Sequence, residues 1–309
     1  MDVVVVGSCN TDLFSYVSHL PKEGETVTGY KFDTGFGGKG GNQCIAAVKL
    51  GAKVAMICKL GNDIYGREYL NNLKAYSVNC DYVGIEDDES TGVAAISVAD
   101  NGSNSIIIIP GANNKLSVTD VEAAESVIKS AKVLVCQNEV PQDTSLTALK
   151  LASKHGVKTV FNAAPAQENF HTGLFKMCDI FCVNETEAET LVGKEVHSVE
   201  TASWACNFLM RFKECNSVIV TLGEKGAVFQ NNKSAIPVHI PATVVKAVDT
   251  TGAGDSFVGS LAFFLATRPD LTVPDVIQRA GHIASFSVTK AGTQKSFPTA
   301  AEILPHILT

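Results

Sequence analysis

The chain has 309 residues, 45% of them hydrophobic, and a net charge of −7 from 32 acidic against 25 basic side chains. It has no long Lys/Arg run, which speaks against a basic face for nucleic acid or an anionic membrane; an anionic ligand must be held by local donors and metal. The nine cysteines include no C-x-x-C pair, which speaks against a zinc site or disulfide framework and for a reducing, cytoplasmic compartment. The start of the chain carries no basic leader, and no apolar stretch reaches roughly 18 residues, so a soluble protein without membrane contact is expected.

Val3–Val6 is a β-branched run ending at Gly7, the pattern of a buried strand. From Leu13 to Phe36 the chain changes to short alternating runs around a Pro21–Gly24 turn. A helix follows over Asn42–Leu50, a strand over Val54–Cys58 and a helix over Ile64–Ala75. A second β-rich insert spans Thr91–Pro110, with its turn at Asp100–Ser103. Beyond Asn114 strands and helices alternate: helix Val118–Ser130, strand Val133–Cys136, helix Thr144–His155, and strands Lys158–Phe161 and Ile180–Val183. Helices Glu185–Leu191 and Thr201–Arg211 and strand Ser217–Thr221 complete the series. Such alternation predicts an α/β fold, a parallel central sheet covered by helices on both faces. We expect one domain over residues 1–309, with the inserts, about 13–36 and 91–110, forming a small β-sheet lid.

Ligands of open α/β sheets bind outside the carboxyl ends of the strands. Several polar residues follow strands here: Asn10 and Asp12, Asn138 and Glu139, Asn184 and Glu187, Thr221 and Gly223. The amide and carboxylate of Asn10 and Asp12 suit sugar hydroxyls, which both donate and accept. Asn184 and Glu187 either supply oxygen toward Mg²⁺ or form an N-capped acidic first turn. Thr221–Gly226 either takes a nucleotide phosphate or is a plain turn. Gly35–Gly40 matches G-x-G-x-x-G, but a dinucleotide fingerprint should directly follow the first strand, and here the insert intervenes. Nor is it a P-loop, since Gly40 stands where Ser or Thr should follow Lys39.

The segment Asp249–Phe257 reads D-T-T-G-A-G-D-S-F and leads into an apolar helical stretch. Backbone N–H groups at a helix start bind anions, and glycines let a phosphate approach. Asp255 beside that anion could take the proton of an attacking hydroxyl. The competing reading makes Asp255 a helix N-cap.

Taken together, G-G-K-G-G-N at Gly37–Asn42 and D-T-T-G-A-G-D-S-F at Asp249–Phe257 resemble the ribokinase family of carbohydrate kinases, over essentially the whole chain. The resemblance implies ATP-dependent phosphorylation of D-ribose at O5, with Asp255 as general base and Gly252, Ala253 and Gly254 as the anion hole. It implies sugar contacts at Asn10, Asp12, Gly38, Lys39, Asn42 and Glu139. It puts nucleotide contacts at Asn184, Thr221, Gly223, Lys225, Gly226 and Gly254, with Glu187 acting indirectly on Mg²⁺. It further implies a K⁺ loop at Asp249, Thr251, Ser287, Lys290, Gly292 and Ser296, and a homodimer through the lid. Arg67 is the only arginine before Arg211, which disfavours a sugar-phosphate substrate. The alternatives are a kinase of another free sugar or nucleoside, or an inactive sugar-binding regulator.

Overall fold

The computed structural model describes residues 1–167, 169–211, 215–234 and 236–308. The four valines of β1 (Val3–Val6) are fully buried inside the main sheet, between β8 and β4. Successive strand side chains point to opposite faces, so Val3 and Val5 join one core layer and Val4 and Val6 the other.

The lid strands are β2 (Asn10–Val17), β3 (Lys31–Gly37), β6 (Gly92–Ala99) and β7 (Asn104–Ile109), ordered β3-β2-β6-β7. The remaining strands are β4 (Val54–Gly61), β5 (Asn79–Glu86), β8 (Val133–Gln137), β9 (Lys158–Asn162), β10 (Ile180–Asn184), β11 (Ser217–Thr221), β12 (Ala227–Asn231) and β13 (Val238–Ile240). They form a nine-stranded sheet ordered β13-β12-β11-β10-β9-β8-β1-β4-β5. Its strands are parallel from β5 to β11 and antiparallel at the β11–β12 and β12–β13 pairings, an edge that the regular alternation did not predict.

Helices α1 (Lys39–Lys49) and α2 (Ile64–Ala75) precede the short α3 (Val118–Ala123) and α4 (Glu125–Lys129). Then come α5 (Gln142–Lys154), α6 (Thr172–Met177), α7 (Glu185–Val192), α8 (Val199–Met210), α9 (Ala253–Thr267) and α10 (Val273–Ser287). Residues of α1, α9 and α10 pack on the Val3/Val5 face, and residues of α5 and α8 pack on the Val4/Val6 face.

The observed elements correct three boundaries. The first insert begins at Asn10, so Asn10 and Asp12 ride on a lid strand. The expected helix Val118–Ser130 breaks at Ala124, whose backbone leaves the helical region (φ −90°, ψ 7°). Helix α1 starts at Lys39, three residues early, through two glycines that are poor helix formers. Tertiary bonds compensate: Gly41 N–H donates to Ser8 O at 2.8 Å and Gly40 N–H to Ser8 Oγ at 3.4 Å.

All nine cysteines are free thiols, and all but Cys80 are buried. Among the described residues no helix is long and apolar enough to cross a membrane.

Candidate active site

Helix α9 begins with Gly252 as its N-cap, in the left-handed region at φ 77°, and no side chain caps it. A side chain at Gly252 would be strained by that φ, and its Cβ would lie 2.6 Å from Thr293 Cγ2. Asp255 is therefore not the cap. It is the third residue of the helix, buried, beside backbone N–H groups that no side chain caps, although that of Ala253 donates to Thr250 O at 3.2 Å.

The Asp255 carboxylate is held at both oxygens. Asn42 Nδ2 donates to Oδ2 at 2.8 Å and Gln43 Nε2 to Oδ1 at 2.9 Å. Gln43, fully buried, also donates to Asn162 Oδ1 at 3.0 Å and accepts from Gln137 Nε2 at 2.8 Å. Asn42 Oδ1 accepts from Gln294 Nε2 at 3.1 Å, and Gln294 accepts from Asn72 at 3.0 Å. Gly259 lets α9 press this close to α1: a Cβ there would meet Gln43 O at 2.5 Å. Sequence reasoning missed Gln43 and Gln294. The only signal for Gln43 was its place directly after Asn42 in a Gly-rich motif.

Glu139, just past β8, accepts from Ser8 Oγ at 2.5 Å and from the Lys39 backbone N–H at 2.9 Å. Burial by itself would lower the Lys39 pKa, but Asp255, Glu139 and Glu187 outweigh it and raise it, so the ammonium stays charged. Asp12 is pushed up to about 7, first by burial and then by the negative charges of Glu139 and Asp255.

A cavity of about 170 Å³ gathers Lys39, Asn184, Glu187, Thr221 and the Gly252–Asp255 turn. A wider cleft of about 620 Å³ includes Asn10, Asn113, Asn138 and Glu139 in its walls. Asn184 and Glu187 form a reciprocal capping box on α7, so the plain-cap reading of that pair is realised. Glu187 is nevertheless buried in the cavity wall. Burial raises its pKa, the Asn184 N–H and Lys39 work against that, and Asp255 adds to it.

Other expected residues lie apart from this cavity. Gly223, Lys225 and Gly226 form the turn after β11, and Lys225 Nζ donates to His197 O at 2.6 Å. Asp249 ties two loops together: it accepts from Thr251 N–H and from Gly292 N–H, each at 2.9 Å. The hydroxyls of Ser287 and Ser296 donate to nearby carbonyls, and Lys290 pairs with Glu302 at 2.7 Å. Among the described residues no group of three or more His, Cys, Asp or Glu could hold a metal. A cation would rely on backbone carbonyls, hydroxyls, water or a bound phosphate.

A family model described as pfkB family carbohydrate kinase matches residues 1–300. The chain is 48% identical over 296 residues to a ribokinase of Mus musculus, spanning 96% of this chain and 91% of the relative. It is 42% identical over 299 residues to a deoxyribokinase of Salmonella typhi, spanning 97% and 96%. Among solved structures, Arabidopsis thaliana ribokinase complexed with ribose and ATP matches with a TM-score of 0.89 at 30% identity, spanning 99% of this chain and 98% of that one.

Proposed function

We propose that this chain, which belongs to the pfkB family of carbohydrate kinases, transfers the γ-phosphoryl group of ATP to O5 of D-ribose, giving D-ribose 5-phosphate and ADP. One observation carries the reading: a carboxylate fixed by two amides stands beside an uncapped helix start. Asp255 then takes the proton of the attacking hydroxyl, and the Gly252, Ala253 and Gly254 backbone stabilises charge on the moving phosphoryl group.

The sugar is held by Asn10, Asp12, Gly38, Lys39, Asn42 and Glu139. Burial, and then the negative charges of Glu139 and Asp255, push the Asp12 pKa up to about 7; this cluster of carboxylates disfavours a substrate that already carries a phosphate. That supports a free pentose. Nucleotide contacts fall to Asn184, Thr221, Gly223, Lys225, Gly226 and Gly254, with Lys225 held in its turn by its Nζ bond to His197 O and its N–H bond to Leu222 O.

Mg²⁺, when bound with ATP, neutralises phosphate charge. Glu187, both of whose oxygens already accept from Asn184, suits water-mediated contact with it rather than direct ligation. A K⁺ ion fits between the two loops that Asp249 joins, held mainly by backbone carbonyls around Asp249, Thr251, Ser287, Lys290, Gly292 and Ser296. A homodimer through the lid completes the reading.

The test is ADP release from ATP with D-ribose and with 2-deoxyribose, in the parent protein and in Asp255→Asn. The variant should lose on the order of 10²–10⁴ in kcat while still binding ATP. Near-full turnover in the variant would remove Asp255 as the base.

A further inference from the structure

Asn113, in the short turn after β7, is buried against the chain between β1 and β2, 104 positions away in sequence. Its Oδ1 accepts from the Cys9 backbone N–H at 2.9 Å. Its Nδ2 donates to Cys9 O at 3.2 Å and to Asn10 Oδ1 at 2.7 Å. An N–H can only donate and a carbonyl can only accept, so the two Cys9 bonds fix which end of the Asn113 amide faces which way. The end that reaches Asn10 is therefore a donor. Asn10 must answer with its oxygen, and its NH₂ group turns the other way. That group bonds no described residue, and Asn10 lies in the wall of the cleft beside Glu139.

We infer that Asn113 is a positioning residue for sugar selection: it locks the Asn10 amide so that Asn10 offers the sugar a hydrogen-bond donor. The inference rests on the place given to Asn10 in the sugar site above. Its consequence is chemical. The nearby carboxylates Asp12 and Glu139, when ionised, only accept. Asn10 is then a neutral donor among them, suited to a hydroxyl that receives one hydrogen bond while giving another to a carboxylate. A sugar lacking that hydroxyl leaves a buried NH₂ unpaired, and such sites reject the deoxy analogue strongly. Without Asn113 the Asn10 amide is free to turn and present its carbonyl instead.

The experiment is a double-mutant cycle read by ribose KM, ATP KM and kcat. Asn113→Asp keeps the acceptor for the Cys9 N–H but has no donor for Asn10 Oδ1 or for Cys9 O. It should raise ribose KM about tenfold, the loss of one buried hydrogen bond, and leave ATP KM within about twofold. In an Asn10→Ala background the same substitution should add less than about twofold, because the group it acts through is gone. An unchanged ribose KM, or an effect undiminished in the Asn10→Ala background, would show Asn113 to be only a strut for the turn.

Side-chain amide hydrogen exchange in the unsubstituted, sugar-free protein reads the orientation without any variant. The Asn113 NH₂ should be protected and the Asn10 NH₂ should exchange freely; the reverse would overturn the inference whether or not the variants fold. Absence of ribose-dependent ADP release in the parent protein would instead overturn the functional reading, leaving the amide orientation to be decided by exchange.

Discussion

Two carboxylates of the same site are held in opposite ways. Asp255 receives an amide donor at each oxygen, whereas Asp12 is buried near Glu139 and Asp255 and is pushed up to about 7. Below that pH Asp12 carries a proton in the free protein. If it takes sugar hydroxyls as a carboxylate, binding must expel the proton. We therefore expect kcat/KM for ribose to fall by up to about tenfold per pH unit below about 7, with ATP KM flat. Asp12→Asn should bind ribose weakly and without this dependence. A flat parent profile would mean that Asp12 does not meet the sugar as an anion. Gln43 makes a second residue-scale case. Gln43→Leu removes one donor from Asp255 and leaves Asn162 Oδ1 and Gln137 Nε2 without their partner. Misplacing a reacting group by about 1 Å can cost on the order of 10² in rate. Steady-state kinetics should show kcat falling by about ten- to a hundredfold with both KM values nearly unchanged; a KM effect alone would make Gln43 a packing residue.

At the scale of elements, legibility followed β-branched runs more than burial: the exposed isoleucines of β7 read as a strand, whereas the nearly buried β12 (AVFQN) does not. The runs of β1, β8, β9, β10 and β11 are almost wholly buried and β-branched, and each reads as a strand. The edge strand β5 (NCDYVGIE) is half-buried and mixed, and β13 has three residues, so neither leaves a clear pattern. The break at Ala124 is silent because Ala is the best helix former and only packing overrides it. The site divides similarly. Asp255, Glu139 and the Asn184–Glu187 pair could be found from motif and strand end. Ser8, Gln43, Gln294 and Asn113 act through buried hydrogen bonds between distant segments, which no local spacing encodes. The two loops joined by Asp249 carry a prediction of their own. Gly252 packs on Thr293, so an ion that steadies the 290–296 loop also steadies the start of α9. Initial rates in K⁺ should exceed those in a large organic cation at equal ionic strength and saturating Mg²⁺, since preorganised backbone donors are worth about 10²–10³ in rate each. Equal rates would remove the cation from the reading and leave Asp255 untouched.

On the scale of the whole molecule, the lid carries an apolar surface that the chemistry of a single copy leaves unexplained. Strand β7 is an edge of the lid, and its isoleucines Ile106, Ile107, Ile108 and Ile109 are each between 46% and 64% exposed. Phe32, on the opposite edge strand β3, is also exposed. An apolar edge of this kind invites pairing unless something covers it. Ile108 lies in the wall of the wider cleft beside Asn10 and Glu139. Strand alternation therefore turns Ile107 and Ile109 to the other face of the lid. A second copy placed against that face would cover them and brace the lid that carries Asn10 and Asp12. Sedimentation at micromolar concentration should then show a dimer. Ile107→Glu, which puts a charge in the contact and touches neither subsite, should give a monomer with ribose KM raised several-fold and ATP binding unchanged. A parent protein that sediments as a monomer would remove the dimer. A monomeric variant with normal ribose KM would keep the dimer but sever it from the sugar site, leaving Asn10 and Asp12 held only by their own chain.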